Sequence, residues 1–102
     1  MIKIKTKDYI GYRLKINMGY SARRSEIDIM AEILRIAIKG ERKTRIMYKA
    51  NLNYSNLKRY LNLLMGKGLI IRICSNGVEL FKTTKRGCEF LMSYEHLYKY
   101  IR

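Results

Sequence analysis

Between Arg42 and Lys67 the chain carries seven basic residues (Arg42, Lys43, Arg45, Lys49, Lys58, Arg59, Lys67) and no acidic one, while its apolar residues keep a helical rhythm. A solvated helix face ordinarily mixes charges of both signs. A segment that folds and also repels itself is one that a polyanion would neutralise. Its wording, KTRIMYKANLNYSNLKRYLNLLMGKGLI, divides into a short helix, a tight turn, a longer helix and a strand.

The 102 residues suffice for one domain, 1–102, with a modest core that dimerisation would extend. Apolar content is ordinary at 48%, so the net charge of +14 belongs to something folded rather than to a disordered tail. By segment it is +6 over 1–24, −2 over 25–41, +7 over 42–67 and +3 over 68–102. No apolar run approaches the roughly 20 residues of a spanning helix, and MIKIKTKDY lacks the core of a signal peptide. A soluble cytoplasmic protein without a membrane partner is expected. Cys74, Cys88 and His96 are too few for a closed zinc site, so neither metal nor cofactor is expected. The two cysteines read as small buried apolar residues, with a bridge between them the alternative in hyperthermophilic hosts.

Residues 1–20 read as a basic strand or hairpin extension. Every even position from Ile10 to Tyr20 is apolar, and Ile2 and Ile4 alternate with Lys3 and Lys5. Ser25 and Asp28 form a shortened capping box, which predicts a helix from near Ser25 to Gly40. Its apolar residues cover more than one stripe, so burial on several sides is expected. Thr44 is expected to cap a second helix ending at Ala50, and Asn53 a third after the turn Asn51-Leu52-Asn53. In the third helix Leu57, Tyr60, Leu61 and Leu64 take the core side. Gly66 and Gly68 are both suited to a left-handed helix end. Leu69–Cys74 and Val78–Lys82 then make a hairpin about Ser75-Asn76-Gly77. A last helix begins at Thr83 or Thr84 and spans 84–102, with a seam of Phe90, Tyr94, Leu97 and Ile101 flanked by Leu91 and Tyr98.

This order of elements is α+β, mainly α: a winged helix-turn-helix over 25–82 with a C-terminal dimerisation helix and an N-terminal β-like extension. It resembles the archaeal winged-helix DNA-binding proteins, the Sulfolobus-type chromatin and transcription-factor group. Small winged-helix proteins of archaeal viruses and plasmids are similar. The likeness runs from Ser25 to about Leu91. It is carried by Lys43-Thr44, Met47-Tyr48, Ala50-Asn51-Leu52, Tyr54, Leu57, Tyr60-Leu61, Leu64, Gly68-Leu69-Ile70 and Thr84-Lys85-Arg86-Gly87. The strand-like extension before Ser25 departs from it.

A helix-turn-helix of this kind implies double-stranded DNA as partner, with side chains near the start of the third helix reaching base edges. Tyr54, Ser55, Asn56 and Arg59 are the base-reading candidates, Asn56 suiting adenine and Arg59 guanine. Lys43, Thr44, Arg45, Lys49, Asn53, Lys58 and Asn62 are candidates for phosphate and backbone contacts. Arg72, Asn76, Lys82, Lys85 and Arg86 would serve the wing. Phe90, Leu91, Tyr94, Leu97, Tyr98 and Ile101 would form a homodimer interface. Lys3, Lys5, Lys7, Arg13, Lys15, Arg23 and Arg24 make a second basic surface, for contact or merely against aggregation. Most of the nine tyrosines fall on apolar phases and are expected in core or interface.

Catalysis is not expected. The eight acids are scattered, and GKG at 66–68 lacks the spacing of a phosphate loop. The main rival to a site-specific regulator is an architectural protein that coats DNA, because nonspecific affinity grows with the phosphates neutralised. RNA binding and a protein-interaction winged helix are further alternatives.

Overall fold

The computed structural model describes residues 24–101, the Ile101 side chain excepted. The N-terminal strand or hairpin and its basic residues through Arg23 lie outside the described residues. Four helices and one hairpin follow in order: α1 Glu26–Ile36, α2 Lys43–Ala50, α3 Tyr54–Gly66, β1 Ile70–Ser75, β2 Val78–Thr83 and α4 Lys85–Ile101.

The capping box at α1 forms as its residues imply. Asp28 N–H donates to Ser25 Oγ at 3.1 Å, and Ser25 N–H returns a bond to Asp28 Oδ2 at 3.3 Å. The helix nevertheless ends at Ile36, four residues short of Gly40. The cause lies 49 residues away: the buried Thr83 hydroxyl donates to Leu34 O at 2.7 Å, and Thr83 N–H donates to Ala37 O at 2.9 Å. These bonds satisfy carbonyls that a helix end leaves orphaned. Replacing Thr83 by valine keeps the shape and removes the hydroxyl. Thermal unfolding should register a loss of about 1–2 kcal/mol, and an unchanged melting temperature would show that the bond contributes nothing net.

Thr44 does not cap α2. Arg42 holds the cap position without a side-chain bond, and the Glu41 carboxylate instead accepts the Arg42 N–H at 3.2 Å. Glu41 is fixed there by exchanging backbone hydrogen bonds of 2.9 and 2.8 Å with Phe81, a one-residue third strand beside β2. Asn51 turns the chain in the left-handed region at φ 57°, and Asn53 caps α3 by accepting the Asn56 N–H at 2.8 Å. Gly66 stays helical; Gly68 alone makes the left-handed turn, at φ 73°.

β1 and β2 pair antiparallel from Ile70 opposite Thr83 to Ser75 opposite Val78. Their turn is the two residues Asn76 and Gly77, both at positive φ, the backbone that matches strand twist in a short hairpin. Both strands run one residue further toward their C-termini than their composition suggests. Thr84 starts α4: its hydroxyl accepts the Gly87 N–H at 3.0 Å and donates to Gly68 O at 2.7 Å.

The core draws on every element, α4 contributing Leu91 and Tyr94. Ile33 and Leu34 of α1, Ile46 of α2, Leu57 and Leu64 of α3 and Ile70 of β1 are its largest fully buried side chains. Tyr60 and Leu61 join them, so the spacing of apolar residues in α3 fell on the core side as periodicity requires. On α1, burial on several sides is only partial: Ile27 is exposed, as is Ile38 just beyond the helix end. Cys74 is exposed and Cys88 half-buried, and both are free thiols. Cys74 escapes burial because β1 touches the core mainly through Ile70 while the hairpin projects away from it. No helix among the described residues is long and apolar enough to cross a membrane.

Candidate nucleic-acid interface

Once the core side of α3 is fixed, its remaining face is polar and exposed. Tyr54, Ser55, Asn56, Lys58, Arg59 and Asn62 all stand on it. Ser55, Lys58 and Asn62 point away from the Leu57–Leu64 stripe because a helix turns 100° per residue.

Two hollows organise the basic residues around this face. A shallow groove of about 90 Å³ between α3 and the hairpin is lined by Lys43, Tyr54, Lys58, Asn62 and Arg72, among others. There Lys43, the first residue of α2, places its Nζ 5.5 Å from the centre of the Tyr54 ring, within cation–π range. A second hollow of about 270 Å³ is lined by Thr44, Arg45, Tyr48 and Lys49. The candidates for phosphate contact thus fall into two groups. Asn53 is committed through its side chain to capping α3.

The wing candidates also divide. Arg72, Asn76 and Lys82 are on the hairpin, with Asn76 at its tip, whereas Lys85 and Arg86 open α4. Arg86 lines a separate, larger groove with Lys67, Gly68, Glu89 and Phe90.

Acidic residues outside the basic tract come back to meet it. Glu41 Oε1 and Oε2 lie 3.7 Å from Arg45 Nε and Lys49 Nζ respectively. Glu26 Oε2 is 3.3 Å from Arg59 Nη1; beyond the tract, on the hairpin itself, Glu79 Oε2 is 3.3 Å from Arg72 Nη1. Lys58 has no carboxylate partner among the described residues. The Arg59 guanidinium also sits 4.6 Å from the Tyr60 ring centre. Glu26 first, and then the Tyr60 hydroxyl, hold its pKa above the ordinary arginine value.

The sequence carries a signal for Glu41, four residues before Arg45, and for Glu79 once the hairpin register is known. It carries none for Glu26 and Arg59, which are 33 residues apart. Arg24, expected in a second basic surface, instead donates from Nη2 to Asn51 O at 3.3 Å, at the turn between α2 and α3. The tyrosines also split. Tyr60 and Tyr94 are buried and Tyr98 half-buried, but Tyr48, Tyr54 and Tyr100 are exposed. Tyr48 is 86% exposed among Thr44, Arg45 and Lys49, away from the core.

On α4, Leu91 and Tyr94 are buried in the chain's own core. Tyr94 donates its hydroxyl to Asp28, and Arg35 of α1 pairs with Glu95 at 3.4 Å. Phe90 is half-buried, and Tyr98 stacks on Tyr94 with ring centres 5.5 Å apart. The exposed apolar residues are Met92, Leu97 and Tyr100; the Ile101 side chain lies outside the described residues.

Three helices, a short bridging strand and a two-stranded hairpin, with the third helix exposed along one side, define the winged helix-turn-helix class. The family model described as winged helix-turn-helix matches residues 23–102, and the chain belongs to that family. The Methanocaldococcus jannaschii protein MJ0287 is 36% identical over 84 residues, 81% of this chain and 82% of that protein. Among solved structures, Sso10a-2, a DNA-binding protein from Sulfolobus solfataricus, superposes with a TM-score of 0.66 at 27% identity, over 74% of this chain and 80% of its own. NolR from Sinorhizobium fredii shares the fold alone, with a TM-score of 0.58 at 13% identity over 96% and 97% of the two chains.

Proposed function

We propose that the protein is a regulator that binds double-stranded DNA, laying α3 in the major groove and the β1–β2 hairpin on the flanking backbone or minor groove. The observation that carries this reading is the outer face of α3, six exposed polar or amphipathic side chains with no acid among them. Such a face offers donors and acceptors to base edges and charge to phosphates. Similarity to Sso10a-2, itself a DNA-binding protein, supports it.

Within this reading Tyr54, Ser55, Asn56 and Arg59 meet bases. Lys43, Thr44, Arg45, Lys49, Lys58 and Asn62 meet the backbone, with Arg72, Asn76 and Lys82 on the wing. Among the described side chains of α4, Phe90, Met92, Leu97, Tyr98 and Tyr100 offer surface for pairing two copies, whereas Leu91 and Tyr94 are buried in the chain's own core. A symmetric dimer would address half-sites about 34 Å apart. The net charge of +14 favours a second reading, low-specificity coating of DNA.

Selection from a random duplex library at several salt concentrations, with light scattering of the free protein, tests both. A regulator enriches a two-fold motif and scatters as a dimer. Tight, steeply salt-dependent binding without enrichment would favour the architectural reading, and no binding to duplex would sink both.

A further inference from the structure

The basic side chains around α3 are held to different degrees. Lys58 is free of carboxylates among the described residues. Arg45 and Lys49 share Glu41, which is itself committed to the start of α2. Arg59 is held on two sides, by the Glu26 carboxylate at 3.3 Å and by the Tyr60 ring at 4.6 Å. The ring is a firm support, since Tyr60 is 3% exposed and packed in the core. Glu26 has no part in the capping box, which Ser25 and Asp28 complete by themselves. Its place in the first turn of α1 also suits a negative charge, so the carboxylate is stable there without Arg59.

A guanidinium has five N–H donors in a rigid fork. One pair of atoms engaged by Glu26 leaves others to reach outward, and a side chain already ordered loses less freedom when it binds. By occupying part of the Arg59 fork, the carboxylate would compete with a DNA phosphate for the same arginine, and its like charge would disfavour that contact.

We infer that Glu26 is a specificity-determining positioning residue, which aims Arg59 at a guanine edge and keeps it from nonspecific phosphate contacts. The inference rests on the DNA-binding reading above and adds to it a residue outside the basic tract. Arg59 and Glu26 form a two-residue reader joining α3 to α1, while unheld Lys58 serves any sequence.

The test compares the full-length protein with Glu26→Gln, Arg59→Ala and the double variant on the enriched duplex, on its single-base-pair changes and on unenriched DNA. Glu26 is 65% exposed, so its substitution leaves the fold intact, which circular dichroism verifies. Arg59→Ala should abolish preference at one guanine. Glu26→Gln should weaken that same preference about two- to fivefold, the worth of an exposed ion pair, and should tighten binding to unenriched DNA. In the Arg59→Ala background it should leave base preference unchanged. Glu26→Asp, which keeps the charge but withdraws it by one methylene, should relax the preference with little gain on unenriched DNA.

An equal, base-independent gain in affinity from Glu26→Gln in both backgrounds would overturn the inference, leaving only a charge effect. If Arg59→Ala alters no base preference while the wild type still selects a motif, the inference fails and the DNA-binding reading stands. A wild type that selects no motif overturns it together with the regulator reading.

Discussion

Replacing Gly87 by alanine is expected to destabilise the fold by about 3 kcal/mol, although alanine is the better helix former by about 1 kcal/mol. Gly87 is the third residue of α4 and is buried. A Cβ there would stand 2.2 Å from Leu69 O and 2.5 Å from Thr83 Cγ2. The first obstacle is backbone, and it cannot swing aside as a side-chain end can. Moving it would disturb the bond from Thr84 N–H to Leu69 O, 3.0 Å long, and the neighbouring bond from the Thr84 hydroxyl to Gly68 O. Each hydrogen bond is worth about 1 kcal/mol net, so the clash outweighs the propensity gain. For a domain of this size the melting temperature should fall by about 12 °C or more. Gly66→Ala is the control, because nothing lies within 4 Å of its Cβ position and its backbone is helical; it should be neutral or stabilising. A Gly87→Ala variant as stable as the parent would show that α4 moves away from Leu69 and Thr83 without cost.

The second large effect concerns affinity. Under the proposed function, Lys43→Ala combined with Lys58→Ala should weaken duplex binding about a hundredfold or more at moderate salt. Each charge-assisted phosphate contact is worth about 1.5 kcal/mol at its lower end, and the loss should be nearly independent of sequence. The slope of log affinity against log salt should become shallower by about 1.8, or 0.9 for each phosphate no longer neutralised. The matching pair Arg45→Ala and Lys49→Ala removes as much charge but should cost less. Glu41 already engages both side chains, and contacts with DNA must compete with it. Equal losses for the two pairs would show that the Glu41 contacts exert no influence, and an unchanged salt slope for the first pair would remove Lys43 and Lys58 from the interface.

What the sequence by itself determined is local. The Ser25 and Asp28 box, the Asn53 cap, the Asn76-Gly77 turn and the core stripe of α3 all involve partners within a few residues, where backbone geometry alone sets the distance. The polar outer face of α3 was legible for the same reason, as the complement of that stripe.

Tertiary structure decided whatever depends on a partner far along the chain. α1 stops at Ile36 because Thr83 arrives from β2 to take Leu34 O, and Tyr94 turns inward because Asp28, 66 residues earlier, accepts its hydroxyl. The basic tract that contains no acid is nevertheless met by Glu26 and Glu41 from outside it. Helix periodicity fixes which way a side chain leaves its own element; which other element stands in that direction is set only when the core packs.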